Sequence, residues 1–185
     1  MKLKQFLFNA LGLLLACSST ATFAADNYQL HQGDVLFISV WGEETLQKEA
    51  RVLPDGSITF PLAGRVDVAN ASTADAEKRI TEKLKTFLPD PQVTVVVTGL
   101  EGNRAYVIGK VLRTGPILLT GPTTVLQALS MAGGFDKFAD LNDIKVLHNS
   151  NGKQTVTAVN YEKLIKGEQL ESNILLQSGD TLLVP

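Results

Sequence analysis

The sequence predicts an α+β fold built as two small tandem modules behind a cleaved signal peptide. Three observations carry this. Each half holds apolar segments of period two together with an apolar stripe of helical spacing. The order strands, turn, one helix, strands occurs twice, on either side of a short joint at Gly99-Leu100-Glu101-Gly102-Asn103. A Gly-Asp pair leads into a strand near the start, Gly33-Asp34, and another does so at the end, Gly179-Asp180. The expected division is a signal peptide over 1–24 and modules over 26–100 and 101–185.

The leader is read from three parts. Lys2 and Lys4 give a positive start, Phe6 to Ala16 an apolar run, and Ser18 to Ala24 a small polar stretch before a cut. The run falls short of the ~20 apolar residues that span a bilayer, so an exported protein starting near Ala25 is expected. Removing Lys2 and Lys4 leaves 15 cations against 19 acids, a net charge of −4. That balance argues against nucleic acid, whose phosphates call for a basic surface. The single cysteine, Cys17, excludes an internal disulfide, so stability rests on packing.

In the first module, Val35 to Trp41 reads as a strand with Leu36, Ile38 and Val40 on one face. Val35, Phe37 and Trp41 line the other, so cover on both sides is expected. Gly42-Glu43-Glu44 reads as a polar loop. Pro54-Asp55-Gly56 is a turn, flanked by Arg51-Val52-Leu53 and Ser57-Ile58-Thr59-Phe60 as a hairpin. Ser72 caps a helix, with Asp75 in capping-box position. Ala76, Ile80, Leu84 and Phe87 form its buried stripe, and Leu88-Pro89-Asp90-Pro91 ends it. Val93 to Thr98 is a strand by composition and period.

In the second module, Arg104 to Leu112 reads as a strand in which Gly109 marks a bulge or a close backbone approach. Gly115-Pro116 and Gly121-Pro122 bracket a very short strand. A helix follows from about Thr124 to Ala132, with Gly133-Gly134 as its left-handed stop. Being so short, it needs a sheet to pack on. Ile144–His148 and Gln154–Val159 flank the turn Asn149-Ser150-Asn151-Gly152. Asn160 caps a one-turn helix closed by Gly167. Ile174-Leu175-Leu176 and Thr181-Leu182-Leu183-Val184 read as final strands.

The residues offer no catalytic, cofactor or metal constellation. The two histidines, His31 and His148, read as surface or edge residues, and no Cys-His cluster can form a zinc site. Gly109-Lys110 and Gly152-Lys153 lack the rest of a phosphate loop. Glu43, Glu44 and Glu49 could furnish a carboxylate pair for sugar hydrolysis, but a solvated loop is the favoured reading. Trp41 could stack on a sugar ring; a core or interface role is favoured.

Together these segments resemble the bacterial outer-membrane polysaccharide export family. The first half is similar to its polysaccharide export domain, through Tyr28-Gln29-Leu30-His31-Gln32-Gly33-Asp34-Val35, Ser39-Val40-Trp41-Gly42-Glu43 and Val52 to Val66, which includes Asp55, Gly56, Pro61 and Gly64. The second half is similar to the family's soluble-ligand-binding β-grasp (SLBB) module. The matching residues are Val107-Ile108-Gly109-Lys110-Val111, Thr114-Gly115-Pro116, Val125 to Phe135 with Gly133 and Gly134, and Ser178-Gly179-Asp180-Thr181. Asp55-Gly56 and Gly115-Pro116 set turns, Pro61 ends a strand and Gly133-Gly134 stops a helix. These are scaffold residues, and they support a fold more than a chemistry. Where family members often carry glycine before the first helix, this chain has Asn70, which tolerates the left-handed conformation.

The resemblance implies a non-enzymatic exopolysaccharide or capsule export component: a periplasmic, ring-forming homo-oligomer associated with the outer membrane. Its implied partners are the polysaccharide, a separate outer-membrane β-barrel and an inner-membrane polysaccharide co-polymerase. Long members carry a C-terminal pore-lining helix; this sequence runs to Pro185 without one, so a collar is expected. Leu14-Leu15-Ala16-Cys17 resembles a lipobox, which would make Cys17 a lipidation site, whereas a plain cut after Ala24 leaves no lipid. A free periplasmic module that binds a carbohydrate or another small ligand, and a polysaccharide-modifying enzyme using Glu43, Glu44 or Glu49, are the alternatives.

Overall fold

A computed structural model describes residues 28–150 and 152–185. The leader, Cys17 and Asn151 of the last hairpin lie outside the described residues.

The first module is a three-stranded antiparallel sheet with a hairpin and a helix. Strands β1 (Val35–Val40), β2 (Glu43–Arg51) and β5 (Val93–Gly99) form the sheet in the order β2-β1-β5. Strands β3 (Ser57–Phe60) and β4 (Gly64–Asp67) pair with each other. Helix α1 (Thr73–Leu84) covers the sheet through Ala76, Ile80 and Leu84, all fully buried. They meet Leu36, Ile38, Ile58 and Phe60 in one core. Full burial of such aliphatic and aromatic side chains stabilises by roughly 1.5–3 kcal/mol each. That outweighs the helix's cap at about 1 kcal/mol.

The second module is a five-stranded mixed sheet. Strands β6 (Arg104–Gly109), β7 (Gly115–Leu118), β8 (Ile144–Ser150), β9 (Lys153–Val159) and β10 (Thr181–Val184) lie in the order β7-β6-β10-β8-β9. The last strand inserts between two earlier hairpins, parallel to β6 and antiparallel to β8. Helix α2 (Val125–Met131) buries Val125, Ala128 and Leu129 in a second core with Val107, Ile144 and Leu182. Helix α3 (Tyr161–Leu164) is capped by Asn160, whose side chain accepts from the Lys163 N–H. The result is α+β in two tandem units.

Several expectations are corrected. The residues after Trp41 form a nine-residue strand, β2, instead of a polar loop. Its apolar residues are only Leu46 and Ala50, too few for the pattern to show, and pairing with β1 makes it a strand. The turn at Pro54-Asp55-Gly56 exists, closed by the Leu53 N–H to Ser57 O bond at 2.8 Å. However, β3 takes β4 as its partner, around Pro61-Leu62-Ala63. Phe87 lies beyond the helix and is exposed. Leu175 makes a lone bridge to Thr124, so 174–176 is not a strand. The outer face of β1 is open: Phe37 is 36% and Trp41 87% exposed.

Candidate functional site

The two modules meet at a pair of matching turns, each built from four residues ending Gly-Asp. In the first turn the Asp34 N–H donates to His31 O at 3.1 Å; in the second, the Asp180 N–H donates to Gln177 O at the same distance. Glycine holds the third position in both, with φ of +98° at Gly33 and +88° at Gly179. Turns of this kind require a left-handed residue there, and glycine supplies it without steric cost. The aspartate then folds back. Asp34 accepts the His31 N–H and Asp180 accepts the Gln177 N–H, each at 2.8 Å. Each turn also stitches to a neighbouring segment: Gly33 N–H to Val52 O, just past the end of β2, and Gly179 N–H to Arg104 O at the start of β6.

Both aspartates are buried, so their carboxylates need partners. Asp180 accepts from the His148 ring Nδ1 at 2.5 Å. Asp34 accepts from the Tyr28 hydroxyl at 2.6 Å and from the Gly102 N–H at 3.0 Å. That last bond reaches across into the joint. From the opposite side, Ser178 donates to Gly102 O at 2.9 Å. One residue of the joint is therefore held by both turns, its N–H by the first and its carbonyl by the second.

Gly102 is small for a spatial reason. A Cβ there would stand 2.4 Å from Gln32 O, 2.8 Å from His31 Cβ and 2.9 Å from Asp34 Oδ1. Beside it opens a cleft of about 520 Å³, lined from the first module by Tyr28 and His31 and from the second by Leu119, Pro122 and Gln177.

The electrostatics describe a clamp. Tyr28 is pushed well above its ordinary value, first by burial and then by its bond to Asp34. It stays a phenol. Its single hydrogen goes to Asp34, so its oxygen can only accept from His31 Nδ1, 3.2 Å away. His31 is lowered by burial, with the Asp34 charge opposing. It is neutral at pH 7 and carries its proton on Nδ1. Every proton in this network is committed to a bond, and the network positions backbone.

The other motif residues are structural in placement. Asp55 accepts from Ser57 N–H and Oγ at 3.0 and 2.7 Å and pairs with Arg65. Gly56 has φ +82°, and a Cβ there would strike Ala69 Cβ at 2.6 Å. Pro61 follows the end of β3 and Gly64 opens β4; Gly115 and Pro116 open β7. Gly133 and Gly134 both take left-handed backbone after α2, as does Asn70 before α1 at φ 55°. Gly109 is the close backbone approach: a Cβ would lie on Val184 O. Only Gly179 and Asp180 of this set belong to the clamp. Sequence reasoning missed Asp34 with Tyr28, Gly102 and Ser178 in this role. The repeated Gly-Asp was the available signal.

Two comparisons bear on this architecture. Residues 23–98 match the family described as Polysaccharide biosynthesis/export protein, and residues 103–184 match the SLBB domain. The chain is 28% identical over 184 residues to the EPS I polysaccharide export outer membrane protein EpsA of Ralstonia nicotianae, covering 86% of this chain and 48% of that protein. It is 31% identical over 183 residues to the polysialic acid transport protein KpsD of Escherichia coli, covering 96% of this chain and 31% of that one. The chain thus spans about half the length of the first relative and a third of the second. With both modules matched in order, the chain carries the domain of the polysaccharide biosynthesis/export protein family followed by an SLBB domain.

Proposed function

We propose that this protein is a non-enzymatic component of exopolysaccharide or capsule export, acting in the periplasm at the outer membrane as a ring-forming collar. The supporting observation is the ordered match of both modules, in company with relatives named for polysaccharide export and transport. A clamp that fixes one module on the other suits a ring, because a head-to-tail interface closes only if its rotation is the same at every copy. Among the described residues no helix is long and apolar enough to cross a membrane. The resemblance pairs such a collar with a separate outer-membrane β-barrel and an inner-membrane polysaccharide co-polymerase. Its mature form begins near Ala25 or, if Cys17 is acylated, at a lipid anchor; the intact mass of the envelope protein separates the two.

The test is a gene deletion. Polymer should accumulate inside the envelope and return to the medium on complementation. Normal secretion in the deletion strain, or a mature protein that stays monomeric with and without its envelope partners, overturns the reading.

A further inference from the structure

Trp41 projects where a folded protein gains nothing from it. Its backbone is fixed by an N–H bond to Gln92 O at 2.9 Å, yet the residue is 87% exposed. Two local features present it. The β1–β2 register slips between Ser39 and Val40, from Ser39↔Gln47 to Val40↔Glu43. Bulges of this kind re-aim a side chain. Gly42, at φ +79°, then turns the chain directly after the tryptophan.

The same register assembles polar groups beside the ring. Ser39 pairs with Gln47 on one side and with Thr94 on the other, so the three side chains form a row across three strands on one face. Ser39, Gln47, Thr94, Glu43, Glu44 and Trp41 line a cleft of about 410 Å³.

We propose that this cleft is a glycan-docking site that takes an uncharged, hydroxyl-rich stretch of polysaccharide, with Trp41 against the C–H face of a sugar ring. An indole offers a large rigid apolar face at low entropy cost. Hydroxyl donors and acceptors on the sugar match the amide of Gln47, the hydroxyls of Ser39 and Thr94, and the carboxylates of Glu43 and Glu44. The lining holds two carboxylates and neither lysine nor arginine. A uronic or phosphorylated polymer would meet like charge there, which costs affinity. A protein partner fits less well. Unless it set a lysine or arginine against Glu43 and Glu44 it would strip their water uncompensated, and interface cores are depleted in glutamate.

The ligand class rests on the export reading; the site itself rests on the geometry. Trp41 is the chain's single tryptophan, so its fluorescence reports this cleft alone. The experiment titrates the purified protein with dextran oligosaccharides and, separately, with polygalacturonate. Dextran should shift and saturate the emission, and polygalacturonate should not. Binding followed by calorimetry should weaken about ten-fold or more in Trp41→Ala and several-fold in Gln47→Ala, with unfolding midpoints unchanged. Three results overturn the site: no emission change with the uncharged glycan, equal binding by Trp41→Ala, or an emission shift that follows protein concentration alone, which marks contact between copies. Failure here beside trapped polymer in the deletion strain removes the site and leaves the export role. Saturable dextran binding beside normal secretion does the reverse.

Discussion

Gly102 shows how much one absent methyl can decide. Its N–H bonds Asp34, its carbonyl receives Ser178, and the space where a side chain would stand is filled by Gln32, His31 and Asp34. The nearest obstacle is a backbone carbonyl, which cannot swing aside as a long side chain would. Gly102→Ala should therefore destabilise the protein by about 1–3 kcal/mol through overpacking. Urea unfolding measures that loss, and faster proteolysis between 99 and 103 locates it at the joint. An unchanged midpoint would mean that the joint is slack. Little of this was legible beforehand. Gly102 reads as one of two glycines in a linker, and nothing in a linker's composition says which glycine is flexible and which is gripped. The echo of Gly33-Asp34 in Gly179-Asp180 was legible. That the two turns close on one residue was not, because the contacts span 68 and 76 positions of sequence.

At the scale of elements, helices were the most readable and strands at edges the least. Helix α1 announces itself by its cap and its stripe. Ser72 Oγ accepts the Asp75 N–H at 3.1 Å, although Asp75 returns to the Ser72 hydroxyl instead of its backbone N–H, at 2.8 Å. The aspartate is one carbon shorter than the glutamate a full capping box uses. Ser72→Ala should cost about 1 kcal/mol, read as a lowered urea midpoint. Ser72→Thr should retain most of it, since a threonine hydroxyl can both accept the Asp75 N–H and donate to its carboxylate. By contrast β2 carries Glu43, Glu44, Gln47, Lys48 and Glu49, a polar composition that reads as loop. It becomes a strand because β1 offers it a ladder, a stabilisation that lies in the partner. The same reason moved the partner of β3. A turn sequence fixes where the chain reverses, while the pairing of flanking segments is settled by which ladder buries more.

For the molecule as a whole, the clamp links folding to pH. His31 is held below its ordinary value of about 6.5 by burial, against the opposing charge of Asp34. Below about pH 6.5 the unfolded chain takes up a proton there that the folded chain resists. The unfolded state then binds more protons, so stability falls with falling pH. The contribution is whole above that value and is lost as pH drops toward the lower folded value. The urea midpoint should fall between about pH 7.5 and 5.5, and His31→Gln should flatten part of that fall. Equal slopes for the two proteins would remove His31 as its source.

By itself the sequence determined the α+β class, two modules in tandem, both main helices with the Ser72 cap of the first and the glycine stop of the second, and most of the turns. These follow from local causes: periodicity, capping side chains and the φ preferences of glycine, proline and asparagine. Only the tertiary structure decided the clamp at Gly102, the identity of β2, and the exposure of Trp41. Those depend on what stands opposite a residue in space. A tryptophan at the end of an apolar strand has the same sequence whether a partner covers it or solvent does.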